Sequence, residues 1–580
     1  MKIIERDVAI VGAGPAGVTL AGLLAQYGVS VVIMDREPDV VEEPRAVGID
    51  DEALRTLQSF GMAEPVLGNA VRNAPIRYYD SKGRILAHVA PSGRPYGWPR
   101  RNLFFQPNLE RLLRDHLATL ENVELLTSCE AVELTQDADG ASVVATMAGE
   151  RLEVRARYVV GADGGKSFVR RALGIELEGD TAPMKWLVVD VENDTWDAPY
   201  SAVYTSPERP SMTIPLPFGY RRFEFKVLDG EDPDTMAEPD RVAKLMKPFY
   251  PNTDVPRAVR RRIYWHHSRT ASRFQAGRGF LVGDAAHLQP PFFGQGMNSG
   301  MRDVTNLAWK LGFVLTGKAG TALLDTYDAE RRDTAREMVE FATGVGRLYH
   351  PRSRFTEVVR NAFFRGAQKV PGGRDYILQM KYKPVPRYRE GFVLAPRAKD
   401  KGSLVGRAFP QPLVQRLDGA HVRLDDVIGD RIAIVSVVPG VAAAISQKAR
   451  ARLASRGFVL VQSNVMPAYR RSGQTDPAGI SHEGPLDVID VFDLDGGLRD
   501  MYLARPAEEV YVVRPDRYVA ATCRLADLDR LLPAVLRLLG EMEQSRDSRG
   551  ARVGVRGRPD GTAALREATG VTKKRGSNGA

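Results

Sequence analysis

The sequence predicts an α/β chain in which a parallel sheet flanked by helices is interrupted by antiparallel strands and followed by a second, smaller α/β block. Three observations carry that prediction. Asp7 to Met34 reads as strand, glycine-rich turn, helix and strand. Arg222 to Val227 alternates apolar with charged residues, the period of an antiparallel strand. From Leu404 a fresh run of strands and helices begins after a long helical stretch. With 580 residues, 43% hydrophobic and 26% charged, the chain is long enough for two or three domains of roughly 100–200 residues each.

Asp7 to Val11 form the first strand. Gly12-Ala13-Gly14-Pro15-Ala16-Gly17 follows, then an Ala- and Leu-rich helix to about Tyr27, and a strand from Val29 to Met34 that ends at Asp35. Gly12 permits the tight turn, Gly14 the close approach of a pyrophosphate and Gly17 close helix–strand packing, while an acid about 20 residues on can bond a ribose hydroxyl. This is the signature of a dinucleotide site. Next, Pro44-Arg45-Ala46 leads to Gly48-Ile49-Asp50-Asp51-Glu52, which opens a helix through Leu54 and Leu57. Arg45 is placed to pair with a phosphate or to sit at the surface. Asp50 is an N-cap, and a cap can also face a ligand.

Arg77 to His88 is short and strand-like, and Gly97-Trp98-Pro99-Arg100-Arg101 precedes Phe105-Gln106-Pro107 and an amphipathic helix with Leu109, Leu112, Leu113 and Leu117. The residues alone give Gln106 no role. Tyr158 to Val160 delivers a second acid into a glycine turn, Gly161-Ala162-Asp163-Gly164, and the helix after it carries Arg170 and Arg171. In Arg222 to Val227 the alternation puts apolar side chains on one face and charges on the other, a half-buried strand of a sheet that would roof a ligand. Tyr264, Trp265 and His266 follow, as packing residues or as pocket residues.

Gly279 to Leu311 is the hub. Phe280 to Val282 is an apolar run ending in Gly283-Asp284, which brings a third acid to a strand end. Pro290 and Pro291 stiffen the loop, Gly294 and Gly296 let a ligand approach the backbone, and a helix begins with Leu307, Leu311 and Val314 on one face. Its N-terminus suits an electron-rich ring or oxyanion beside Asp284. Three strand-end turns exceed what one nucleotide half needs; a single dinucleotide lying across all three accounts for them. There is no second glycine fingerprint, so a nicotinamide partner must visit the same face transiently.

A helical region runs from Leu315 to about Tyr382. The last block reads as strand Ile432 to Val438, helix Val441 to Ser455, strand Phe458 to Gln462, strands near Val488 and from Val510 to Ala520, and a helix with Leu528, Leu531, Leu532 and Val535. Cys523 is the only cysteine in it and no C-x-x-C exists, so thiol redox work is excluded. With Cys129 as the only other cysteine, no disulfide framework and no metal site are expected, and the compartment is the cytoplasm. No signal peptide or apolar run of about 18 residues is present, so no membrane partner is expected. The net charge of +9 is concentrated in residues 545–580, with nine Lys or Arg against three Asp or Glu. That composition predicts a disordered basic tail, not a nucleic-acid-binding face.

At Gly12 to Gly17, Asp163-Gly164 and Gly283-Asp284 the chain resembles the single-component FAD-dependent aromatic hydroxylases, with a GR2/para-hydroxybenzoate hydroxylase-like fold. RAVGIDDEALRTLQSFG, GWPRRN, RRFEF, GQGMNSGMRD, NLAWKL and VRPDRYVAAT are similar to the 3-(3-hydroxyphenyl)propionate/3-hydroxycinnamate hydroxylases, over the chain to about residue 540. The resemblance implies a Rossmann-like FAD-binding domain in two parts, 1–180 (with some of the substrate sheet near 75–100) and 273–398. It implies an inserted antiparallel substrate sheet at 181–272, a thioredoxin-like C-terminal domain lacking C-x-x-C at 399–544, and the tail beyond. That C-terminal domain is read as a packing or homodimerisation module.

The same resemblance gives roles. Asp35 and Gln106 would touch the adenosine half of FAD, Arg45 the pyrophosphate and Asp284 the ribitol, while Asp163 and Arg170 would serve both FAD and NAD(P)H. The loop Pro290 to Asn298, with Gly294, Gly296, Met297 and Asn298, would lie against the isoalloxazine. Asp50 is the candidate base by analogy with phenol hydroxylases, Pro291 belongs to the catalytic loop, and Tyr264 and His266 are next in line. The implied reaction uses NADH, in preference to NADPH, and O2 to hydroxylate a phenolic acid ortho to its hydroxyl through a flavin C4a-hydroperoxide. The alternatives are a hydroxylase of another phenol or of a polycyclic aromatic, and a non-catalytic FAD-binding protein. A flavin halogenase would need a paired-tryptophan segment, which Trp98, Trp186, Trp196, Trp265 and Trp309 do not supply.

Overall fold

Val8 to Val11 and Val31 to Met34 are apolar and almost wholly buried, as central strands covered on both faces must be. In the computed structural model, which describes residues 1–349, 353–395, 402–464 and 484–540, strand Lys2–Val11 lies between two parallel neighbours, Val31–Met34 and Glu150–Gly161. Glu150–Gly161 in turn pairs in parallel with Gly279–Leu281. The register sets Met34, Val11, Gly161 and Leu281 in one row. The turns at Gly12, Asp35, Asp163 and Asp284 therefore leave the same carboxyl edge of the sheet, where open α/β sheets bind ligands.

Two helices cover this edge. Pro15–Gln26 starts with proline inside its first turn after Gly14, and packs against Gly296–Leu315. Only close contact allows it: a Cβ on Gly300 would stand 3.1 Å from the Cα of Gly283. The expected one-sided helix is a correction, because every residue from Asn298 to Val314 except Thr305 is buried. Leu307, Leu311 and Val314 are buried, and so are Trp309 against Phe392, Lys310 on Glu330 and Phe313 against Tyr27, as befits a helix in the middle of the molecule.

The second sheet has eight strands in the order His287–Leu288, Ala258–Ala271, Leu177–Val191, Arg221–Lys226, Ser211–Pro215, Ser201–Tyr204, Ile76–Tyr79 and Ile85–Val89. Here too the pattern is corrected. The charged face of Arg221–Lys226 is not solvated: Arg222 and Glu224 are buried, Arg222 being paired with Asp190 at 2.7 Å. Arg222 also donates to the carbonyls of Pro44 and Arg45, so this sheet holds the loop that carries Arg45.

Seven strands build the C-terminal sheet, with Phe458–Asn464 between parallel neighbours Ile432–Ser436 and Val488–Asp493. The single strand expected from Val510 to Ala520 is a hairpin, Val510–Val513 and Val519–Cys523, whose turn bends at Arg517 with φ of 68°. The helix expected from Val441 runs Gln447–Ser455, where the Ser446 side chain caps it by accepting from Ala449 N. Two buried ion clusters tie this sheet to the rest. Arg514 donates to both oxygens of Glu330 and to Asp516, and Lys310 donates to Glu330 at 2.8 Å. Arg55 makes a two-pronged bond to Asp425, at 2.6 and 2.8 Å. The basic tail expected at 545–580 lies outside the described residues. Among those described, no helix is long and apolar enough to cross a membrane, and no His, Cys, Asp and Glu group could hold a metal.

Candidate active site

One cavity of about 840 Å³ runs from the row of strand-end turns to the underside of the eight-stranded sheet. It is at the upper end of the roughly 300–1,000 Å³ usual for ligand pockets. Gly12, Gly14, Asp35, Arg45, Gln106, Asp163, Asp284, Pro291, Gly294, Gly296, Met297 and Asn298 all line it. Gly17 does not reach the wall. A Cβ there would collide with the carbonyl oxygen of Gly12, so its role is packing beneath the turn.

At the dinucleotide end the Asp35 carboxylate accepts from Ala13 N at 2.6 Å and Glu37 N at 2.9 Å. It locks the glycine turn to the end of its strand. Gln106 accepts from the backbone N–H groups of Arg45 and Ala46, at 2.9 and 2.6 Å, and donates to Glu110. Its amide thus holds the loop in place, and the Arg45 guanidinium has no ion pair among the described residues. Asp163 caps the helix Phe168–Ala172, accepting from Ser167 Oγ, Phe168 N and Val169 N. Burial raises its pKa against these donors. Arg170 is a correction. It is buried behind the wall, donating to Ala285 O and Gly165 O, and the arginine that lines the cavity is its neighbour Arg171.

Asp284 makes no hydrogen bond or ion pair with another described residue. Its side chain is exposed to the open cavity, and desolvation by the surrounding walls raises its pKa, opposed by the charges of His287 and Arg45. Behind it His287 donates or accepts at 2.7 Å with Asp303, which also accepts from Gly283 N and Arg331. GDAAH is therefore a turn pinned to the central helix, not a free loop. Gly294 has φ of 60°, and the Asn298 amide bridges Gly294 O, Gly48 O and Asp50 N. Gln289 lines the cavity with both its amide atoms buried and unpartnered. Two Cβ-free turns, an unpaired arginine, an unpaired carboxylate and an orphaned amide along one trough suit a dinucleotide that carries a polar ring.

The four residues expected to do chemistry do not meet. Pro291 lines the cavity; Asp50, Tyr264 and His266 do not. Asp50 accepts from Ala53 N as N-cap, from Arg302 at 2.9 Å and from Lys383 at 3.0 Å. Burial would raise its pKa, but Lys383 and Arg302 overcome it and hold it at about 2, too acidic to take a proton. His266 stacks on Trp186, with Phe292 edge-on at 4.9 Å, and Arg260 lies over the Tyr264 ring. Phe292 is at the wall; the side chain of Phe293 lies outside what is described.

Asp51 is the residue missed. It is the first residue of the helix Asp51–Gln58, is 6% exposed, lines the cavity and has no hydrogen-bonding partner among the described residues. Burial, then the charges of Asp50 and Glu52, raise its pKa to about 7 against Lys383 and Arg100. The signal was present in Asp50-Asp51-Glu52, but successive helical residues point about 100° apart and only tertiary packing says which faces the ligand.

The match to known proteins follows this geometry. Residues 5–342 fit the family model described as FAD binding domain, and residues 406–538 the HcaD C-terminal domain. A 3-(3-hydroxy-phenyl)propionate/3-hydroxycinnamic acid hydroxylase of Burkholderia cenocepacia (strain HI2424) is 44% identical over 90% of this chain and 95% of its own. A protein of the same name from Mycobacterium sp. (strain JLS) is 40% identical over 92% of each. Among solved structures, aklavinone-11 hydroxylase with FAD and aklavinone has a TM-score of 0.72 at 25% identity, covering 93% of this chain and 99% of that one. The flavin-dependent monooxygenase PieE with FAD and substrate shares the fold, with a TM-score of 0.76 at 24% identity and the same coverage.

Proposed function

This chain belongs to the FAD-binding-domain family that includes the 3-(3-hydroxyphenyl)propionate/3-hydroxycinnamic acid hydroxylases, and from that premise we propose that it hydroxylates a phenolic acid of that type ortho to its hydroxyl, using NADH. It is an FAD-dependent aromatic monooxygenase. The observation that carries the substrate reading is the single trough joining three dinucleotide turns to an unpaired carboxylate, Asp51, beneath the eight-stranded sheet. Bound there and reduced, FAD would activate O2 for transfer of one oxygen atom to the ring, the other leaving as water.

The chain's own residues have four tasks. Gly12, Gly14 and Arg45 would hold the pyrophosphate, and Asp284 a ribitol hydroxyl. The amino end of helix Gly296–Leu315 would offer its free N–H groups and positive dipole end to negative charge on the ring. Phe292, wedged among Trp186, His266 and Gly346, would keep water from the reacting centre. Asp51 would take the phenol proton and make the ring carbon ortho to it more nucleophilic. The units 1–180, 181–272, 273–398 and 399–544 are kept as working domain boundaries, with strand Leu177–Val191 straddling the first of them.

The test is coupled oxygen uptake with a panel of hydroxylated phenylpropionates, cinnamates, benzoates and plain phenols, with product identified. Futile NADH oxidation with no catechol formed from any of them would end the reading. Run with both nucleotides, the assay should give a modestly higher kcat/KM for NADH. Arg36, which follows Asp35 and lines the trough, is already paired with Glu37 at 3.2 Å, so it is a poor partner for a 2′-phosphate. Equal efficiencies would hand that phosphate to Lys166 and Arg171, which also line the cavity. Asp284→Ala should weaken FAD binding by roughly 10- to 150-fold, the worth of a charged hydrogen bond, read as flavin per polypeptide after dialysis. Full occupancy would free Asp284 of the cofactor.

A further inference from the structure

Resting on the reading that a phenolic acid enters this cavity, we propose that Arg101 is its anion subsite, taking the substrate's carboxylate and thereby turning the phenol end toward Asp51. Arg101 opens the three-residue strand Arg101–Leu103, which pairs antiparallel with Gly48–Asp50 so that Arg101 stands opposite Asp50. It lines the cavity on the side of the eight-stranded sheet, among Ile76, Tyr78, Leu103, Val203, Ile214 and Met380. The same sheet also lends Ser201, Glu224 and Arg222 to the lining, but Arg222 is already paired with Asp190.

What distinguishes Arg101 is its partners. Its guanidinium donates to Ala74 O at 2.5 Å and to Ser201 Oγ at 3.0 Å, both neutral. Arg55, Arg222, Arg302, Arg331 and Arg514, which are more deeply buried, each meet a carboxylate. Arg101 has none among the described residues, and burial pulls its pKa down to about 10 with only Tyr78 and Tyr382 opposing. Arg101 is half-buried and opens onto the cavity; a partly desolvated cation without a counter-ion is costly, and suits a site where a ligand brings the anion. Two of its five N–H groups are engaged, so a fork remains for a planar carboxylate, and the partial desolvation strengthens such a bond. Asp51 and Arg101 then form the two ends of one recognition axis. A neutral phenol could use only one of them.

The experiment titrates the FAD-loaded enzyme with 3-(3-hydroxyphenyl)propionate and with its primary amide, following the flavin absorbance change. Wild type should bind the acid on the order of 10²-fold more tightly than the amide, the worth of a desolvated charge pair. Arg101→Met should bring the two within about threefold by weakening the acid alone, and Arg101→Lys, which keeps charge but loses the fork, should fall between. FAD content should not change. Equal affinities in wild type would overturn the subsite whatever the variants do, so the result does not depend on their folding. Loss of FAD in Arg101→Met, or equal weakening of acid and amide, would also overturn it by making Arg101 a cofactor or framework residue. Product formation by wild type separates the two readings. A wild type that hydroxylates acid and amide alike keeps the hydroxylase and removes the subsite, whereas one that binds neither removes both.

Discussion

Asp51→Asn should lower coupled hydroxylation by roughly 10²–10⁴-fold, the usual contribution of a general base, while leaving FAD content and the fold intact. Asparagine is nearly isosteric, and Asp51 has no hydrogen bond to lose among the described residues. Flavin reduction by NADH should fall much less, because hydride transfer takes no proton from the phenol. In wild type the hydroxylation rate should rise with pH through about 7, where burial and its acidic neighbours set the Asp51 pKa. The sign is fixed: a base works only when ionised, so activity is present above that pKa and lost below it. Asp50→Asn makes the contrast. Asn caps a helix as well as Asp, but removing the Asp50 charge takes away repulsion and frees Lys383, so the acid limb should move to lower pH. Stopped-flow flavin reduction beside product yield per NADH, across pH, reads all of this. A fully coupled Asp51→Asn enzyme would send the search for a base elsewhere.

The largest stability effect should come from Arg514→Met, at about 3–5 kcal/mol, the cost of breaking a buried pair from one side. Arg514, Glu330, Lys310 and Asp516 are at most 1% exposed. Burial would raise the Glu330 pKa, but Arg514 and Lys310 hold it at about 2. Lys310 itself is lowered to about 8 because burial outweighs Glu330, so Arg514 is the cluster's firmer cation. Without Arg514 two carboxylates remain against one weakened cation. Adding Asp516→Asn restores the balance, and the double variant should lose less than the sum of the singles. Urea midpoints of the four proteins measure it. Strict additivity would show that the cluster does not act as a unit.

The dinucleotide edge was legible because backbone geometry demands particular residues there: Gly12 at φ of 103°, Gly17 against Gly12 O, and acids at three strand ends. Strand and helix order followed from periodicity for the same reason. Three things were not legible. Arg222 and Glu224 look like a solvated face until a second layer covers them. Arg170 and Arg171 are equivalent in sequence, yet one is consumed by two carbonyls and the other lines the trough. Asp50 and Asp51 are adjacent, yet Asp50 alone is bonded by Arg302 and Lys383, from segments more than 250 residues away. Charge partners set by distant chain cannot be read from spacing.

The row Met34, Val11, Gly161 and Leu281 also has a consequence for birth on the ribosome. The amino-terminal strand is made first, but its flank at Glu150–Gly161 arrives well over a hundred residues later, and the turn holding Asp284 later still. Such non-local pairing is slow and exposes strand edges while it waits. The nascent chain therefore has no complete flavin trough until the helix Gly296–Leu315 has left the exit tunnel. The helix bearing Asp51 gains its Asp425 anchor only when the C-terminal sheet is under way. Cofactor capture belongs late in synthesis, and a chain interrupted before Asp284 would reach the cell as apoprotein with open sheet edges.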